Sequence, residues 1–247
     1  MVDMELRVAT CVDEFEYGTV YTDPDRPVAW DLNFARLGPD AGEPGAAALA
    51  DAVDRAQAAA GHRSHRKLFV HDAGAGARLS PGFRALGWEV ERALVMVLGE
   101  TPSAGSDAVE ELDPDLLGPS LVRFTRAEDP SLSDEAVRQL ASFGEAMRRD
   151  TDVRLFAYLE DGVPVSWCEL FSHGGAAQVE GVATLVEHRG RGFASSVVAA
   201  AARASRAAGD ELTFLVIDEP GGPQALYERV GFTVVGREYA FFRRPSS

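Results

Sequence analysis

The stretch from Val182 to Ala208 constrains the fold of this chain more than any other. It begins as a β-strand at residues 182–185, passes through an Arg- and Gly-rich turn at residues 187–192, and continues as an alanine-rich helix. Small side chains recur on one face of that helix and would let it pack closely against a sheet. A strand that leads through a tight turn into such a helix predicts an α/β fold with helices layered on a sheet.

The turn itself has the composition of a phosphate-binding loop. Gly190 and Gly192 allow the backbone to turn tightly and expose consecutive N–H groups, and the following helix presents unpaired donors and the positive end of its dipole. Arg189 and Arg191 could add charge-assisted hydrogen bonds to phosphate oxygens. Neither a Walker loop nor a dinucleotide fingerprint fits the spacing, so the predicted ligand is a pyrophosphate compound of another class. The alternative is a plain glycine turn that binds no ligand.

The elements around the turn predict a mixed α/β sheet. Three strands joined by short Gly-containing turns precede the helix, and two more strands follow it, which indicates mostly antiparallel pairing. The predicted strands are 121–124, 154–160, 163–172, 176–186, 211–217 and 232–243, and the predicted helices are 133–149, 191–208 and 223–229.

The N-terminal half repeats part of this order in weaker form. The predicted elements are a strand at 30–37, a helix at 45–60, a strand at 67–71, a helix at 81–86 and a strand at 88–98. Residues 83–90 match residues 227–234, because in both a Gly follows a short helix and leads through an aromatic residue into a strand. The sequence thus predicts a duplication with three parts: a half domain at 1–100, a linker at 101–119 rich in Pro, Gly and Ser, and a second domain at 120–247.

Composition narrows the class of protein. A formal net charge of −15 opposes binding to nucleic acid or to an anionic membrane surface, and it is compatible with a cationic amine substrate. No segment combines basic residues with an apolar run, and none has the roughly 20 apolar residues of a membrane span, so we expect a cytoplasmic protein. Cys11 and Cys168 lack the spacing of a zinc site or a redox pair, and each is expected to be a small buried hydrophobe.

Two motifs resemble the GNAT superfamily of N-acetyltransferases. Arg189, Gly192 and Ala194 fill the signature of Arg or Gln, two residues, Gly, one residue, then Gly or Ala. Residues 226–232, Leu-Tyr-Glu-Arg-Val-Gly-Phe, resemble the second hallmark, Leu-Tyr-x-x-x-Gly-Phe. The resemblance covers residues 120–244 and implies a GNAT-like sheet, complete in the C-terminal half and degenerate in the N-terminal half, as in tandem members of the superfamily.

The resemblance implies acetyl-CoA as co-substrate and no metal. The backbone of the strand before the turn would pair with the pantetheine arm, and the turn and helix start would hold the pyrophosphate. The cofactor-binding residues are then Val182, Ala183, Thr184, Arg189, Gly190, Arg191, Gly192, Phe193, Ala194 and Ser195.

The resemblance also assigns catalytic roles. Tyr227 stands where the family often has the acid that protonates the departing thiolate, and we expect it to have that role; the alternative is a core tyrosine that closes the helix on the sheet. Gln178 stands where the histone-type branch has its glutamate base. We expect Glu180, assigned to the same face as Val182 and Thr184, to serve instead, directly or through water; Glu169 and His173 are weaker candidates.

Two loops depart from the family pattern. Pro220 replaces an Asn that often helps to hold the cofactor, so contacts from that loop are in doubt. In the N-terminal half, residues 39–44 lie where the phosphate loop should be, but Asp40 and Glu43 would repel pyrophosphate and Pro44 lacks a donor N–H. Phe83 also replaces the tyrosine, and this half is therefore expected to brace the catalytic domain or wall the acceptor site.

The histidines of the N-terminal half are not expected to bind a metal. His62, His65 and His71 surround an Arg-rich turn without a paired carboxylate, which favours solvated or capping histidines.

The sequence as a whole predicts an N-acetyltransferase that moves an acetyl or longer acyl group to a primary amine of a small molecule or peptide, by direct transfer in a ternary complex. A non-catalytic acyl-CoA-binding module and a protein-interaction fold are the alternatives. A monomer or homodimer is expected.

Overall fold

The structure, a computed structural model, describes residues 11–100, 102, 108–141, 152–221 and 223–244. The strands are β1 (Cys11–Phe15), β2 (Gly18–Thr22), β3 (Phe34–Leu37), β4 (Arg66–Val70), β5 (Glu89–Leu98), β6 (Val109–Leu112), β7 (Asp152–Glu160), β8 (Val163–His173), β9 (Ala176–Thr184), β10 (Leu212–Glu219) and β11 (Phe232–Arg243). The helices are α1 (Ala46–Ala59), α2 (Ala73–Ala85), α3 (Gly118–Glu128), α4 (Asp134–Ala141), α5 (Phe193–Ala208) and α6 (Gln224–Val230). Among the described residues, none of the helices is long and apolar enough to cross a bilayer.

The chain divides into two compact units. The described residues of the C-terminal unit are 95–100, 102, 108–141, 152–217 and 223–235, and those of the N-terminal unit are 11–94, 218–221 and 236–244. This division differs from the predicted domains of 1–100 and 120–247, because the second part of β11 belongs with the N-terminal unit. The predicted linker 101–119 contains β6 and the start of α3, while residues 101 and 103–107 lie outside the described part.

The C-terminal unit is a mostly antiparallel sheet. Its strands follow the order β5, β10, β9, β8, β7, β6, and the pairs β6–β7, β7–β8 and β8–β9 are antiparallel while β9–β10 is parallel. Helix α5 has the small apolar face expected from the sequence, with Val197, Val198, Ala201 and Ala202 buried. The predicted class, a mixed α/β sheet with flanking helices, is confirmed.

One predicted strand of this unit is wrong. Residues 121–124 lie in helix α3, whose first turn contains Pro119, a residue that fits the start of a helix because its N–H would be unpaired there anyway. Leu121 and Phe124 are three residues apart and pack against the same apolar cluster, and the Phe124 ring meets that of Trp167 edge-on at 5.8 Å. The predicted helix 133–149 is present as α4, and residues 142–149 lie outside the described part.

The N-terminal unit has its own sheet and core. Its strand order is β1, β2, β3, β4, β11, with β3–β4 parallel and the other pairs antiparallel. The predicted strand 30–37 is a 3-10 helix at Trp30–Leu32 followed by β3. Strands β1 and β2 were not predicted. Cys11 lies on β1 and is exposed, contrary to expectation, whereas Cys168 is buried as predicted.

Both halves follow one order of elements, as a duplication predicts. Three antiparallel strands are followed by a helix, a parallel strand, a second helix and a last strand: β1 to β5 with α1 and α2, and β7 to β11 with α5 and α6. The last strands are exchanged, however: the last strand of the second half, β11, pairs in the sheet of the first half, and the last strand of the first half, β5, lies in the sheet of the second. Strand β11 pairs with β4 from Tyr239↔Val70 to Arg243↔Arg66, and β5 lies beside β10. Phe241 of β11 is fully buried in the N-terminal core and stacks on Phe83 at 4.2 Å.

Candidate functional site

A β-bulge shapes the strand that enters the predicted phosphate turn. Trp167 of β8 pairs with Ala183, but Glu169 pairs with Glu180, so β9 has one extra residue between the two pairs. Gly181 lies in this bulge with φ +59°, a left-handed conformation that a side chain rarely adopts. The regular alternation of side chains along β9 is therefore broken there.

The bulge corrects one prediction. Thr184 pairs with Ser166, and their hydroxyl oxygens lie 2.8 Å apart, whereas Glu180 pairs with Glu169. Ser166 and Glu169 are three residues apart on β8, so they lie on opposite faces of the sheet. Glu180 and Thr184 therefore do not share a face as predicted.

The pairing between β9 and β10 stops halfway. The parallel register runs from Leu212↔Ala176 to Phe214↔Gln178, and no pair follows among the described residues. Beyond this point the edge of β9 at Val182, Ala183 and Thr184 has no strand partner in β10. An open strand edge can pair with an extended ligand.

The turn after β9 directs backbone donors outward. Gly190 and Gly192 have φ values of +77° and +83°, and a Cβ built on either would meet open space, so their backbone conformation rather than crowding requires glycine. Gly192 is the N-cap of α5 and provides no side-chain acceptor. The first helical hydrogen bond runs from Ser196 N to Gly192 O at 3.2 Å, so the N–H groups of Phe193, Ala194 and Ser195 precede it.

The two arginines of the turn contact carboxylates. Arg189 donates from Nε to Thr184 O at 3.1 Å and from a terminal nitrogen to Glu128 at 2.5 Å, which fixes the turn against the end of β9. Arg191 pairs with Glu160 at 2.5 Å, and the same carboxylate lies 2.9 Å from His188 Nδ1. Both guanidinium groups are about half exposed. Their contact with phosphate oxygens stays a prediction, and such a contact would have to compete with these carboxylates.

Two predicted cofactor residues can contribute only backbone groups. Phe193 is 8% exposed and its ring stacks on Tyr158 at 3.9 Å. Ala183 is equally buried and packs in the same apolar cluster, together with Trp167. Their side chains stabilise the start of α5 and the end of β9, while their backbone groups lie in the turn and at the open edge.

Tyr227 is buried and close to a carboxylate. It is 5% exposed on α6, and its ring contacts Phe232 edge-on at 6.4 Å. Burial raises the pKa of Tyr227 above its ordinary value, and the negative charge of Glu180 raises that pKa further. The phenol therefore keeps its proton at neutral pH.

Glu180 lies in a polar cluster on the opposite face from Thr184. Gln178 donates a side-chain hydrogen bond to the Glu180 carboxylate, which the sequence did not predict. Glu169, 7% exposed, is its direct cross-strand neighbour. His173 is four residues further along β8, about 13 Å away at ordinary strand rise. The structure thus brings Glu169 and Glu180 together and separates His173 from them.

The histidines of the N-terminal unit are packed inside it. Solvated or capping histidines were predicted; His62 and His65 are 5% and 2% exposed, so the solvated alternative is wrong for these two, while His62 Nε2 accepts a hydrogen bond from His65 N at 3.4 Å. Burial lowers the pKa of each to about 4, and neighbouring positive charges contribute to the shift. His65 Nε2 lies 2.9 Å from Asn33 O. Among the described residues, no group of three His, Cys, Asp or Glu side chains could hold a metal ion.

Comparisons with known proteins agree with this geometry. Residues 119–232 match the family model described as acetyltransferase (GNAT) family. None of the curated proteins matches the chain in sequence.

Three solved structures are similar over most of the chain. A conserved protein of unknown function from Staphylococcus epidermidis has a TM-score of 0.72 at 14% identity, covering 96% of this chain and 95% of that one. A GCN5-related N-acetyltransferase from Kribbella flavida has a TM-score of 0.65 at 18% identity, covering 98% and 92%. A tandem GNAT protein from the clavulanic acid biosynthesis pathway has a TM-score of 0.56 at 14% identity, covering 94% and 80%.

At these identities the similarity of the solved structures concerns the fold. The family match, the bulged strand and the turn before α5 concern the C-terminal unit. Residues 119–232 of this chain are thus similar to the acetyltransferase (GNAT) family.

Proposed function

We propose that the C-terminal unit transfers an acetyl group from acetyl-CoA to a primary amine. The observation that carries the proposal is the succession of an open strand edge on β9, a turn with two left-handed glycines, and a helix start without a side-chain cap. This succession offers backbone partners for an extended amide chain and then for phosphates.

Coenzyme A fits these residues. The open edge at Val182–Thr184 can form strand-like hydrogen bonds to the amides of the pantetheine arm. The N–H groups of Phe193, Ala194 and Ser195 can bind the pyrophosphate, because they carry no intrahelical partner and lie at the positive end of α5. When bound, the thioester supplies an activated acyl group.

Tyr227 is proposed as the acid. The phenol is protonated at neutral pH, as an ordinary tyrosine is, so it can donate a proton to the sulfur that departs; its raised pKa makes it a weaker acid than an unburied tyrosine. Its burial among apolar side chains also excludes water from the donor.

Glu180 is proposed as the base that takes the proton from the amine. Its charge raises the pKa of Tyr227, which is consistent with the two side chains acting in one site. The hydrogen bond from Gln178 holds the carboxylate in place, which gives the glutamine a positioning role although it cannot accept the proton itself. A cationic amine would also be attracted by the neighbouring Glu169.

Turnover tests the proposal directly. The purified protein is mixed with acetyl-CoA and a panel of primary amines, and free CoA thiol is measured with a thiol-reactive chromophore. Tyr227→Phe should lower kcat about 100-fold with little change in the KM for acetyl-CoA, because the lost group acts on the leaving sulfur. Tyr239→Phe, a buried tyrosine of the N-terminal unit, is the matched control and should leave kcat unchanged.

Two other outcomes decide against parts of the proposal. If Glu169→Gln lowers kcat much more than Glu180→Gln, Glu169 is the base. If the protein binds acetyl-CoA but no amine releases the thiol, the non-catalytic acyl-CoA-binding alternative replaces the transferase.

A further inference from the structure

The N-terminal unit contains a second crevice at the ends of parallel strands. Strands β3 and β4 pair only through Ala35↔Leu68 and Arg36↔Phe69, and α1 connects them. Helix α2 begins directly after β4. In sheets of this kind, ligands bind outside the carboxyl ends of the strands, where the connections to the helices diverge.

A cavity of about 790 Å³ lies at this place. The volume is in the range of small-molecule sites. Its lining combines the end of β3, the loop that follows, and the first two turns of α2, all within the N-terminal unit. The sequence predicted no ligand site here, because the acidic loop 39–44 opposes a phosphate and the histidines of this half lack a paired carboxylate.

The cavity has positive groups from separate elements. Arg36 lies at the end of β3, and Arg78 lies on α2 and donates a hydrogen bond to Pro44 O at 3.1 Å, which ties it to the loop before α1. The first turn of α2 adds Gly74 N–H at the positive end of a helix of 13 residues. The Arg side chains provide several donors in the geometry that suits a carboxylate.

One further side chain of the lining is held rigidly. His71 Nδ1 lies 2.8 Å from Glu238 Oε2, and Glu238 is 8% exposed. The ring also lies parallel to that of Phe69 at 6.3 Å. The part of the cavity lining formed by His71 is therefore preorganised and needs no rearrangement on binding.

Acidic residues limit the charge that the cavity can accept. Glu43 and Asp72 line it together with the two arginines, and Asp40 lies in the same loop. The Asp72 carboxylate already accepts a hydrogen bond from Ala75 N at 2.6 Å. These carboxylates offset the charge of the two arginines, so the cavity lacks the net positive charge that a ligand with several negative charges would need.

The remaining lining is apolar. Leu37, Pro39, Val70 and Ala75 supply the surface that would cover a hydrocarbon chain. We propose that this cavity binds a small monocarboxylate with a short apolar chain, and that it is a site separate from the acyl-transfer site of the C-terminal unit.

Ligand-observed NMR with hexanoate tests the proposal. Saturable binding is expected below about 10 mM, and n-hexylamine, which has the same chain and the opposite charge, should not compete. Arg78→Gln should weaken hexanoate at least 10-fold, and Arg78→Lys should recover part of the affinity. Arg55→Gln, an exposed arginine of α1 outside the cavity, is the matched control and should bind like the wild type.

Three results would overturn it: no saturation with the wild type, equal hexanoate binding by Arg78→Gln, or displacement of hexanoate by acetyl-CoA in a Gly192→Trp background. The last result would make the cavity a nucleotide site. Acetyl-CoA turnover is measured on the same samples. Loss of hexanoate binding with normal turnover in Arg78→Gln separates this site from the acyl-transfer site.

Discussion

The two halves of the chain have a loop between a strand and a helix at the same point of the same succession of elements, but the residues of the two loops differ. In the C-terminal unit, the turn has two left-handed glycines and an uncapped helix start. In the N-terminal unit, the loop 38–45 has one left-handed glycine, Gly42, beside Asp40, Glu43 and Pro44, and its charge comes from arginine side chains.

The difference shows how a duplicated scaffold can change its ligand without changing its topology. Backbone N–H groups at a helix start suit the clustered oxygens of a pyrophosphate. Side-chain guanidinium groups balanced by nearby carboxylates suit a single negative charge. If both proposals hold, the loop composition rather than the fold decides which anion each half accepts.

The largest effect is expected from placing a bulky residue in one of the two loops, which should abolish ligand binding by that loop and leave the other site unchanged. Gly192→Trp should weaken acetyl-CoA about 1000-fold in calorimetric titration, because the indole would occupy the space over the helix start. Gly42→Trp, also at a left-handed glycine with open space around it, is the matched control and should bind acetyl-CoA normally while losing hexanoate. Acetyl-CoA binding by Gly192→Trp at wild-type affinity would remove the pyrophosphate from this turn.

The next effect concerns stability, and it tests how tightly the exchanged strand is packed. A Cβ on Gly76 of α2 would come 2.2 Å from the Tyr239 ring of β11, so Gly76→Ala forces the helix and strand apart. We expect a loss of about 2–3 kcal/mol in the free energy of unfolding by urea. Gly74→Ala, in the same helix but next only to the flexible Asp72 side chain, should cost less than about 0.5 kcal/mol.

A smaller effect should make the N-terminal unit acid-sensitive. His62 and His65 have folded pKa values of about 4 and an ordinary value of 6.5, so between these pH values the unfolded chain binds more protons. The stability they provide is full above pH 6.5 and falls as the pH drops toward 4. Urea titrations at pH 7 and pH 5 should therefore differ. In His62→Gln, the difference in the free energy of unfolding between pH 7 and pH 5 should shrink by about 1.5 kcal/mol, a value reduced to allow for solvent screening. An unchanged difference would mean that His62 is accessible to protons in the folded protein.

The smallest effect comes from an arginine that already has a partner. Arg191→Gln should weaken acetyl-CoA only about 5-fold, because the guanidinium shares its charge with Glu160 at 2.5 Å. The affinity should fall less steeply with added salt than in the wild type. A loss above about 100-fold would mean that Arg191 leaves Glu160 and binds phosphate directly.

The sequence predicted the C-terminal sheet well because its strands are long and its turns contain glycine. The secondary-structure prediction was wrong where the local residue pattern favoured one element and tertiary packing stabilised another. The short run 121–124 has β-forming residues, yet Pro119 at a helix start and the three-residue spacing of Leu121 and Phe124 favour the helix that forms. Strand β1 was missed because nearly all of its residues are exposed and show no apolar alternation.

For the candidate site, the turn was predicted from the sequence but the bulge was missed. Gly181, a single glycine within a predicted strand, is the signal that would have placed it, and it would have corrected the face of Glu180. The hydrogen bond from Gln178 depends on the conformation of the bulged strand, and the cavity around Arg36 and Arg78 depends on how β3, β4 and α2 pack together. No local sequence pattern predicts these tertiary contacts. The roles of Tyr227 and Glu180 stay proposals.

The exchanged last strands have a consequence for dissection of the protein. A fragment ending at residue 100 would keep β5 but lose β11, the partner of β4, and a fragment starting at residue 108 would keep β11 but lose β5, the neighbour of β10. The first fragment made alone would expose the edge of β4 and the ring of Phe83, which β11 normally covers, and the second would expose the edge of β10. A chain nicked between residues 100 and 108 would instead keep all its strands, so complementation of two co-expressed fragments is expected where neither fragment alone folds.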